Sequence, residues 1–150
     1  GPPGSRHALQ MKGTTADGGD VYAGMGFSFV DPKGPYDASE YEGIAFLAKR
    51  GAGGPLSIRV KMPDANTDPQ GGACEECYND FGADFELNEE WTRYVVKFEN
   101  LKQESGWGRP RPEQVDAKRL MGLQWQISAG SSEFDVWIDD VTFLGRENKD

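Results

Sequence analysis

The sequence holds only one histidine and two cysteines, and it has no long apolar run. The single histidine, His7, argues against a serine–histidine–aspartate triad. A structural zinc ion needs about four ligands, and two cysteines with one distant histidine do not supply them. No stretch approaches the roughly 20 apolar residues that span a membrane, so the sequence predicts no membrane insertion.

Basic residues are also few. Lysine and arginine number 16 against 25 aspartate and glutamate residues, which gives a formal net charge of −9. Such a chain repels a phosphate backbone, so the sequence argues against a nucleic-acid partner. What is present fits a folded domain. The 150 residues are 37% hydrophobic and 11% aromatic, which is enough for a core, and 20 glycines and 9 prolines favour turns over long helices.

Apolar and polar residues alternate with a period of two in eight short segments. These segments are 7–13, 21–30, 43–49, 56–62, 84–87, 92–101, 120–128 and 134–144. Short strands separated by turn-forming residues predict an all-β fold, namely an antiparallel β-sandwich or jelly roll. We expect one such domain over residues 6–146, after an expression-tag remnant at 1–5 and before a tail at 147–150.

The last segment changes phase in its middle. The apolar residues 136 and 138 share one face of an extended strand, whereas the apolar residues 141 and 143 share the other. A β-bulge at the intervening Asp139-Asp140 would turn both pairs towards the core. Because burying an unpaired carboxylate is costly, a bound cation is one explanation for these acids. The other is a solvated strand end with Asp140 hydrogen-bonded to a turn.

Both cysteines lie in the segment GGACEECYNDFG, residues 71–82. A redox Cys-x-x-Cys pair opens a helix after a strand, whereas Cys74 and Cys77 lie among glycines and acids that disfavour a reactive thiolate. A local disulfide and two free thiols are the alternatives that fit, and we expect the disulfide. It would fix a hairpin that aims Tyr78, Asn79 and Asp80, and it implies an oxidising, extracellular setting.

Three longer stretches together resemble a known family. They are YDASEYEGIAF (36–46), GGACEECYNDFGADFELNEEWTRYVVKFENLKQESGWG (71–108) and FDVWIDDVTF (134–143). Their order is similar to that of galactose-binding-like jelly rolls, nearest to carbohydrate-binding module family 11 and its relatives. The likeness extends from about Met11 to Leu144. It implies a β-sandwich with a concave face that binds glycan chains without catalysis, and a structural calcium ion.

The resemblance places the calcium ion between the terminal aspartates and an early loop. Its candidate ligands are Asp139 and Asp140 in the last strand and Asp17 and Asp20 in the loop 13–20, with Asp139 preferred over Asp140. Calcium binds six to eight oxygens from carboxylates and carbonyls. The ion would join the two ends of the chain and stabilise the folded form.

Glycans stack on flat aromatic rings and form hydrogen bonds with amides, acids and guanidinium groups. The outward positions that hold sugar contacts in the resembling modules correspond here to Gln124 and Gln126, with Arg59 and Arg93 on neighbouring segments. The two glutamines are equally explained as the polar side of a one-sided sheet. Trp125 falls on the opposite face and is expected in the core.

Loop residues complete the candidate ligand contacts. Trp107, between two glycines, either stacks on a sugar or folds over the sandwich edge as a lid, and Arg109 follows it closely. Tyr78, Asn79 and Asp80 lie after the cysteine pair. We expect all five to lie at the rim of the sandwich.

The function predicted from these features is non-catalytic binding of a polysaccharide or oligosaccharide, with a β-glucan as one candidate. The module would be secreted by a bacterium or held at its surface, as part of a larger multidomain protein. The alternative is a protein-interaction or adhesion domain of the same fold, because fold does not fix function. A related sandwich also occurs in the respiratory complex I assembly-factor family, but the expected disulfide argues against a reducing compartment. An enzyme is the weakest hypothesis, since none of the carboxylates lies in a recognisable hydrolytic motif.

Overall fold

The computed structural model describes residues 1–15, 22–127 and 133–146. Each strand in these ranges overlaps a predicted segment, although β5 begins three residues earlier than expected, and the all-β fold class is confirmed. The strands are β1 (Leu9–Thr14), β2 (Ala23–Phe27), β3 (Tyr41–Arg50), β4 (Ser57–Met62), β5 (Phe81–Glu86), β6 (Thr92–Lys97), β7 (Leu123–Ile127) and β8 (Glu133–Gly145). Three single-turn 3-10 helices lie in the loops at Pro69–Gly71, Phe98–Asn100 and Ala117–Arg119.

The strands form two antiparallel sheets of four. The first sheet has the order β1-β8-β3-β6, and the second sheet has the order β2-β7-β4-β5. Among the described strands, only β4 and β5 are consecutive and paired with each other. Every other connection passes from one sheet to the other, which is the winding of a jelly-roll sandwich.

The inward side chains of the two sheets meet in one hydrophobic core. Trp125 of β7 and Phe46 of β3 are 0% and 1% exposed, and their rings lie 5.6 Å apart, edge to face. Tyr94 of β6 stacks on the other side of Phe46 with ring centroids 5.5 Å apart. Large aromatic side chains contribute most of the buried apolar area of such a core. The expectation that Trp125 is structural is therefore confirmed.

The predicted β-bulge in the last strand is present. Leu47 and Ala45 of β3 pair with Asp139 and Thr142 of β8, so β8 holds one more residue than β3 between the two pairs. The extra residue is accommodated at Asp140, whose φ of 51° lies in the left-handed region. The change of phase turns Phe143 inwards, and its ring stacks on neighbouring aromatic rings of the core.

Two long connections, 63–80 and 98–122, are tied to each other by the buried carboxylate of Asp64. It accepts a hydrogen bond from the N–H of Asn66 at 2.9 Å and another from the N–H of Asp116 at 2.8 Å. Burial raises the pKa of Asp64, although these two N–H groups act in the opposite direction. The loops that border the second sheet are thus fixed to each other by hydrogen bonds.

Candidate functional site

The outer face of the second sheet is polar. On β4, Ile58 and Val60 point into the core, so that Arg59 and Lys61 point outwards. On β7, the inward side chains are the buried Leu123, Trp125 and Ile127, which leaves Gln124 and Gln126 on the outside. The predicted outward direction of both glutamines is confirmed.

The register of the sheet places these polar residues in two rows. Gln126 pairs with Arg59 of β4 and Gln124 pairs with Lys61. On the other side of β7, the partners of Gln126 and Gln124 are two glycines of β2. Glycine has no side chain, so β2 leaves an open trough beside the glutamine amides. Together with Phe27, Ser28, Lys33, Pro63 and other residues, they line a cavity of about 610 Å³.

A second cavity of about 340 Å³ continues this trough across β4. The two cavities share Tyr22 and Gln126 and form one surface, here called the groove. Three aromatic side chains border the second cavity: Tyr22, Tyr78 and Trp107, with exposures of 57%, 65% and 37%. Exposed rings around a polar floor can stack on the flat faces of a ligand while the floor supplies hydrogen bonds.

Both cations on the floor of the groove are paired with carboxylates. Arg59 Nη1 lies 3.4 Å from Asp84 Oδ1, and its Nη2 donates to the carbonyl of Lys102 at 3.0 Å. Lys61 Nζ lies 3.4 Å from Oδ2 of the buried Asp80. Burial raises the pKa of Asp80, against the lowering effects of Thr67 and Lys61. The charge of the floor is therefore locally balanced.

A disulfide joins Cys74 to Cys77 beside the groove, as predicted from the sequence. The N–H groups of Glu75 and Glu76 both donate to the carbonyl of Arg109, at 2.9 and 3.2 Å. The N–H of Arg109 donates back to the carbonyl of Glu76 at 3.0 Å. The disulfide-closed turn thus pairs through backbone hydrogen bonds with the segment 103–111, which is here called the Trp107 loop.

Asn79 holds the Trp107 loop by three hydrogen bonds. Its Nδ2 donates to the carbonyls of Glu104 and Trp107, at 2.9 and 2.7 Å, and its Oδ1 accepts from the N–H of Glu104 at 2.9 Å. Gln103 Nε2 adds a bond to the carbonyl of Asn79 at 2.8 Å. Asn79 is 2% exposed, so its amide is used within the protein and is not presented to a ligand.

Trp107 lies between two glycines that adopt conformations open to few other residues. The φ angles of Gly106 and Gly108 are 86° and 91°, in the left-handed region. A Cβ atom on Gly108 would also lie 2.8 Å from Cβ of Asn79. The indole Nε1 donates to Oε2 of Glu104 at 3.3 Å, and the Arg111 guanidinium donates to the carbonyl of Trp107. This turn presents the Trp107 ring at the edge of the groove.

The structure brings most of the predicted ligand residues together, with different roles. Gln124, Gln126, Arg59, Tyr78 and Trp107 present side chains at the surface of the groove. Asn79 and Asp80 line it but are only 2% and 4% exposed, so they support the floor and the loop. Their expected exposed position at the rim is wrong, because both side chains are almost fully buried, while their contact with sugar stays a prediction.

Two predicted ligand residues lie elsewhere. Arg93 is on β6 of the first sheet, opposite Leu47, and does not line the groove. The exposed Arg109 pairs with Glu75 at 3.4 Å and also lies outside the lining. In contrast, Tyr22, an aromatic candidate left unassigned among the predicted ligand contacts, lines both cavities. The alternation of β2 could have indicated this position, since Tyr22 falls on the same outward face as the two glycines of β2 and not on the face of Ala23.

The acids proposed for calcium are only partly described. Asp17 and Asp20 lie outside the described residues. Within the ranges 1–15, 22–127 and 133–146, no group of three or more histidine, cysteine, aspartate or glutamate residues is arranged to hold a metal ion. Hydrogen bonds from Ser5 and from the N–H of Asp140 lower the pKa of Asp139. Its Oδ2 is nevertheless buried without a hydrogen-bond partner.

Comparison with solved structures supports the fold. The family 11 carbohydrate-binding module of the cellulosomal cellulase Lic26A-Cel5E of Clostridium thermocellum superimposes with a TM-score of 0.67 at 17% identity, covering 95% of this chain and 78% of that one. This chain has the jelly-roll fold of that module. A family 11 module of the same organism, in complex with a β-1,3-1,4-mixed-linked tetrasaccharide, gives 0.65 at 16% identity, covering 92% and 75%. The structural resemblance expected from the sequence is thus confirmed.

The jelly roll also resembles part of a longer enzyme chain. An exo-β-agarase matches with a TM-score of 0.57 at 13% identity, covering 95% of this chain but 21% of that one. No family model matches the sequence. No curated protein matches it either. In the described part of the chain, no helix is long and apolar enough to cross a membrane.

Proposed function

We propose that this protein is a non-catalytic carbohydrate-binding module that binds an extended, uncharged polysaccharide in the groove. The observation that carries the proposal is the ring of exposed aromatic side chains, Tyr22, Tyr78 and Trp107, around a hydrogen-bonding floor. Aromatic faces stack on the C–H faces of sugar rings. The amides of Gln124 and Gln126 donate to and accept from hydroxyl groups.

The charge balance of the floor favours a neutral ligand. Arg59 and Lys61 are each paired with a carboxylate, so an anionic sugar would have to displace Asp84 or the buried Asp80. A sugar hydroxyl can instead share the remaining donors without separating the ion pairs. Guanidinium and ammonium groups that are held in place in this way lose little conformational entropy when they bind a ligand.

The family 11 module that was solved with a β-1,3-1,4-mixed-linked tetrasaccharide makes a β-glucan the first ligand to test. The groove of this chain is an open trough across strands rather than a closed pocket, which suits a segment of a longer chain. Its carboxylates support a binding role over a hydrolytic one. Asp80 is buried against Lys61, and Glu104 accepts from the indole of Trp107. Neither is offered as a proton donor to a glycosidic bond.

We further propose that the module is secreted and attached to a larger protein. A disulfide, here within a single loop, is typical of an oxidising, extracellular setting. Weak binding to a polysaccharide becomes useful when it raises the effective concentration of an attached catalytic domain or cell surface near its substrate. A structural calcium ion at Asp139 is part of the same proposal, because a buried, unpartnered carboxylate oxygen fits an oxygen-ligated cation.

Affinity electrophoresis and calorimetry with mixed-linkage β-glucan, in the presence of calcium, test the proposal. The unmodified protein is expected to be retarded. Trp107→Ala and Tyr78→Ala are each expected to lose about tenfold in affinity, which takes a stacked sugar ring to contribute at the lower end of the roughly 1–3 kcal/mol known for a nucleobase stacked on an aromatic side chain. Trp91→Ala, in the loop just before β6 of the first sheet and outside the groove, is the control and is expected to retain full affinity. If no neutral polysaccharide is bound while the fold is intact, the module hypothesis is wrong and a protein-interaction role takes its place.

A further inference from the structure

The outer face of the first sheet carries a second aromatic surface that the groove does not include. On β8 and β3, Val136, Ile138 and Ala48 are fully buried, so Trp137 and Lys49 point away from the core. Lys49 pairs directly with Trp137, and Trp91 precedes the residue that pairs with Ala48. The three side chains therefore lie side by side, on β8, on β3 and just before β6.

Lys49 is held between the two indole rings. Its Nζ lies 5.5 Å from the ring centroid of Trp91 and 5.5 Å from that of Trp137. Both distances are within the range of a cation–π interaction. The rings fix the position of the ammonium group but, unlike a carboxylate, do not neutralise its charge.

Arg93 adds a second cation one row along the same face. It pairs with Leu47 on β3, next to Lys49 along that strand, and is followed by Val95, which is 40% exposed. Neither Lys49 nor Arg93 forms an ion pair with a carboxylate in the described ranges. The surface formed by Lys49, Trp91, Arg93 and Trp137 is here called the outer strip.

Two acidic residues of β8 lie on the same face as Trp137 and accept hydrogen bonds from neutral donors. Asp135, on the same face of β8, accepts from Gln10 Nε2 at 2.8 Å, and Asp139 accepts from the N–H of Asp140 at 2.8 Å. The outer strip thus holds two cations without a carboxylate at ion-pair distance, with Asp135 and Asp139 as the nearby acids, on a protein whose formal net charge is −9. Because salt screens charges beyond roughly 8 Å at physiological ionic strength, a bound anion senses these local charges more than the net charge.

We propose that the outer strip is a second binding surface, and that it takes an anionic polysaccharide whose rings bear carboxylates, such as a polyuronate. The faces of the indole rings stack on the C–H faces of sugar rings, and the two cations that lack ion pairs bind carboxylates spaced along a chain. Neither cavity of the groove is lined by Lys49, Trp91, Arg93 or Trp137, and these side chains follow one another across the sheet, which suits an extended chain. The contrast with the groove is chemical, since the cations there are balanced by acids.

Affinity electrophoresis in polygalacturonate at physiological salt tests this second surface, with the fully methyl-esterified polymer as the uncharged control ligand. Retardation is expected in the acid form and not in the ester. The double variant Lys49→Met, Arg93→Gln is expected to lose about tenfold in affinity or more, because it removes two exposed ion pairs with the polysaccharide that also hold it in place on the surface. Lys97→Met removes a cation from the same strand as Arg93, but one that is paired with Glu42, and is expected to change affinity less than about twofold.

Two further arms separate this proposal from that for the groove. Trp107→Ala is expected to bind polygalacturonate like the unmodified protein, and neutral β-glucan oligosaccharides are expected not to compete. Competition, or an equal loss with Trp107→Ala, would assign the binding to the groove and overturn the second surface. An equal loss with Lys97→Met would show general charge attraction, and equally tight binding of polyglutamate would show a surface for acidic polypeptides. Each of these results refutes the proposal, as does failure to bind polygalacturonate by a protein with an unchanged melting temperature.

Discussion

Replacing Asn79 with alanine removes the side chain that attaches the Trp107 loop to the rest of the protein. Three hydrogen bonds are lost, two to carbonyls and one from an N–H of the loop. Each is worth about 1 kcal/mol net, so the attachment weakens by about 3 kcal/mol. In a domain of this size, that corresponds to a fall in melting temperature of about 6–12 °C if the loss is fully expressed in the free energy of unfolding.

The effect on glycan affinity has an upper limit. Asn79 is buried and acts through the position of Trp107, so its loss cannot cost more than the contact that Trp107 makes. Bonds that remain between Glu76 and the loop, including Gly108 N–H to Glu76 Oε2 at 2.9 Å, keep part of the closed conformation populated. We therefore expect Asn79→Ala to weaken binding of β-glucan by somewhat less than Trp107→Ala does.

A double-mutant cycle separates this mechanism from general damage. In the Trp107→Ala background, Asn79→Ala is expected to leave glycan affinity unchanged but still to lower the melting temperature. Asn88→Ala, which removes an exposed amide bonded to Thr92, is the matched control and is expected to change neither quantity appreciably. A further loss of affinity in the Trp107→Ala background, or full affinity in the single variant, would refute the role of Asn79 in placing the indole.

Three more predictions concern Tyr22 and Asp80 of the groove and Asp139 of β8. Tyr22→Ala is expected to lower glycan affinity without lowering the melting temperature, because the ring is 57% exposed; a stability loss of more than about 0.5 kcal/mol in thermal melts would contradict this. Burial raises the pKa of Asp80 above its ordinary value of 3.8, so its protonation favours the folded form. The free energy of unfolding of the unmodified protein, relative to that of Asp80→Asn, is therefore expected to rise as the pH falls through the raised pKa towards 3.8. Thermal melts at several pH values measure this difference, and the opposite slope would contradict the raised pKa of Asp80. If calcium binds at Asp139, a chelator is expected to lower the melting temperature of the unmodified protein but not that of Asp139→Asn. The same melting temperature of the unmodified protein with and without chelator would refute the calcium site.

The strands were predictable because alternation with a period of two is a local property of the chain. Alternation states which side chains share a face, but it does not state which sheet a strand joins. Arg59 and Arg93 both point outwards as predicted, yet they lie on opposite faces of the sandwich because β4 and β6 belong to different sheets. The assignment of both to one ligand site depended on long-range pairing, which one sequence does not contain.

Loop residues were harder to interpret, since burial in a loop leaves no periodic signal. Asn79 and Asp80 follow the disulfide and were expected at the surface. Asn79 is instead buried against Glu104 of the distant Trp107 loop, and Asp80 is paired with Lys61 of β4. The disulfide itself could be expected because the neighbouring acids argued against a redox pair and the ligand count argued against zinc, which left two free thiols as the alternative. Tyr22 could have been found from its phase with the glycines of β2.

The attachment of the Trp107 loop has a consequence for engineering. Asn79 and Glu76 bind backbone groups of this loop, so they do not distinguish which side chains it carries. Gly106 and Gly108 are the positions whose backbone conformation restricts replacement. Randomising positions 105 and 107 while keeping these glycines would give a library on a constant frame, from which variants with altered ligand preference could be selected.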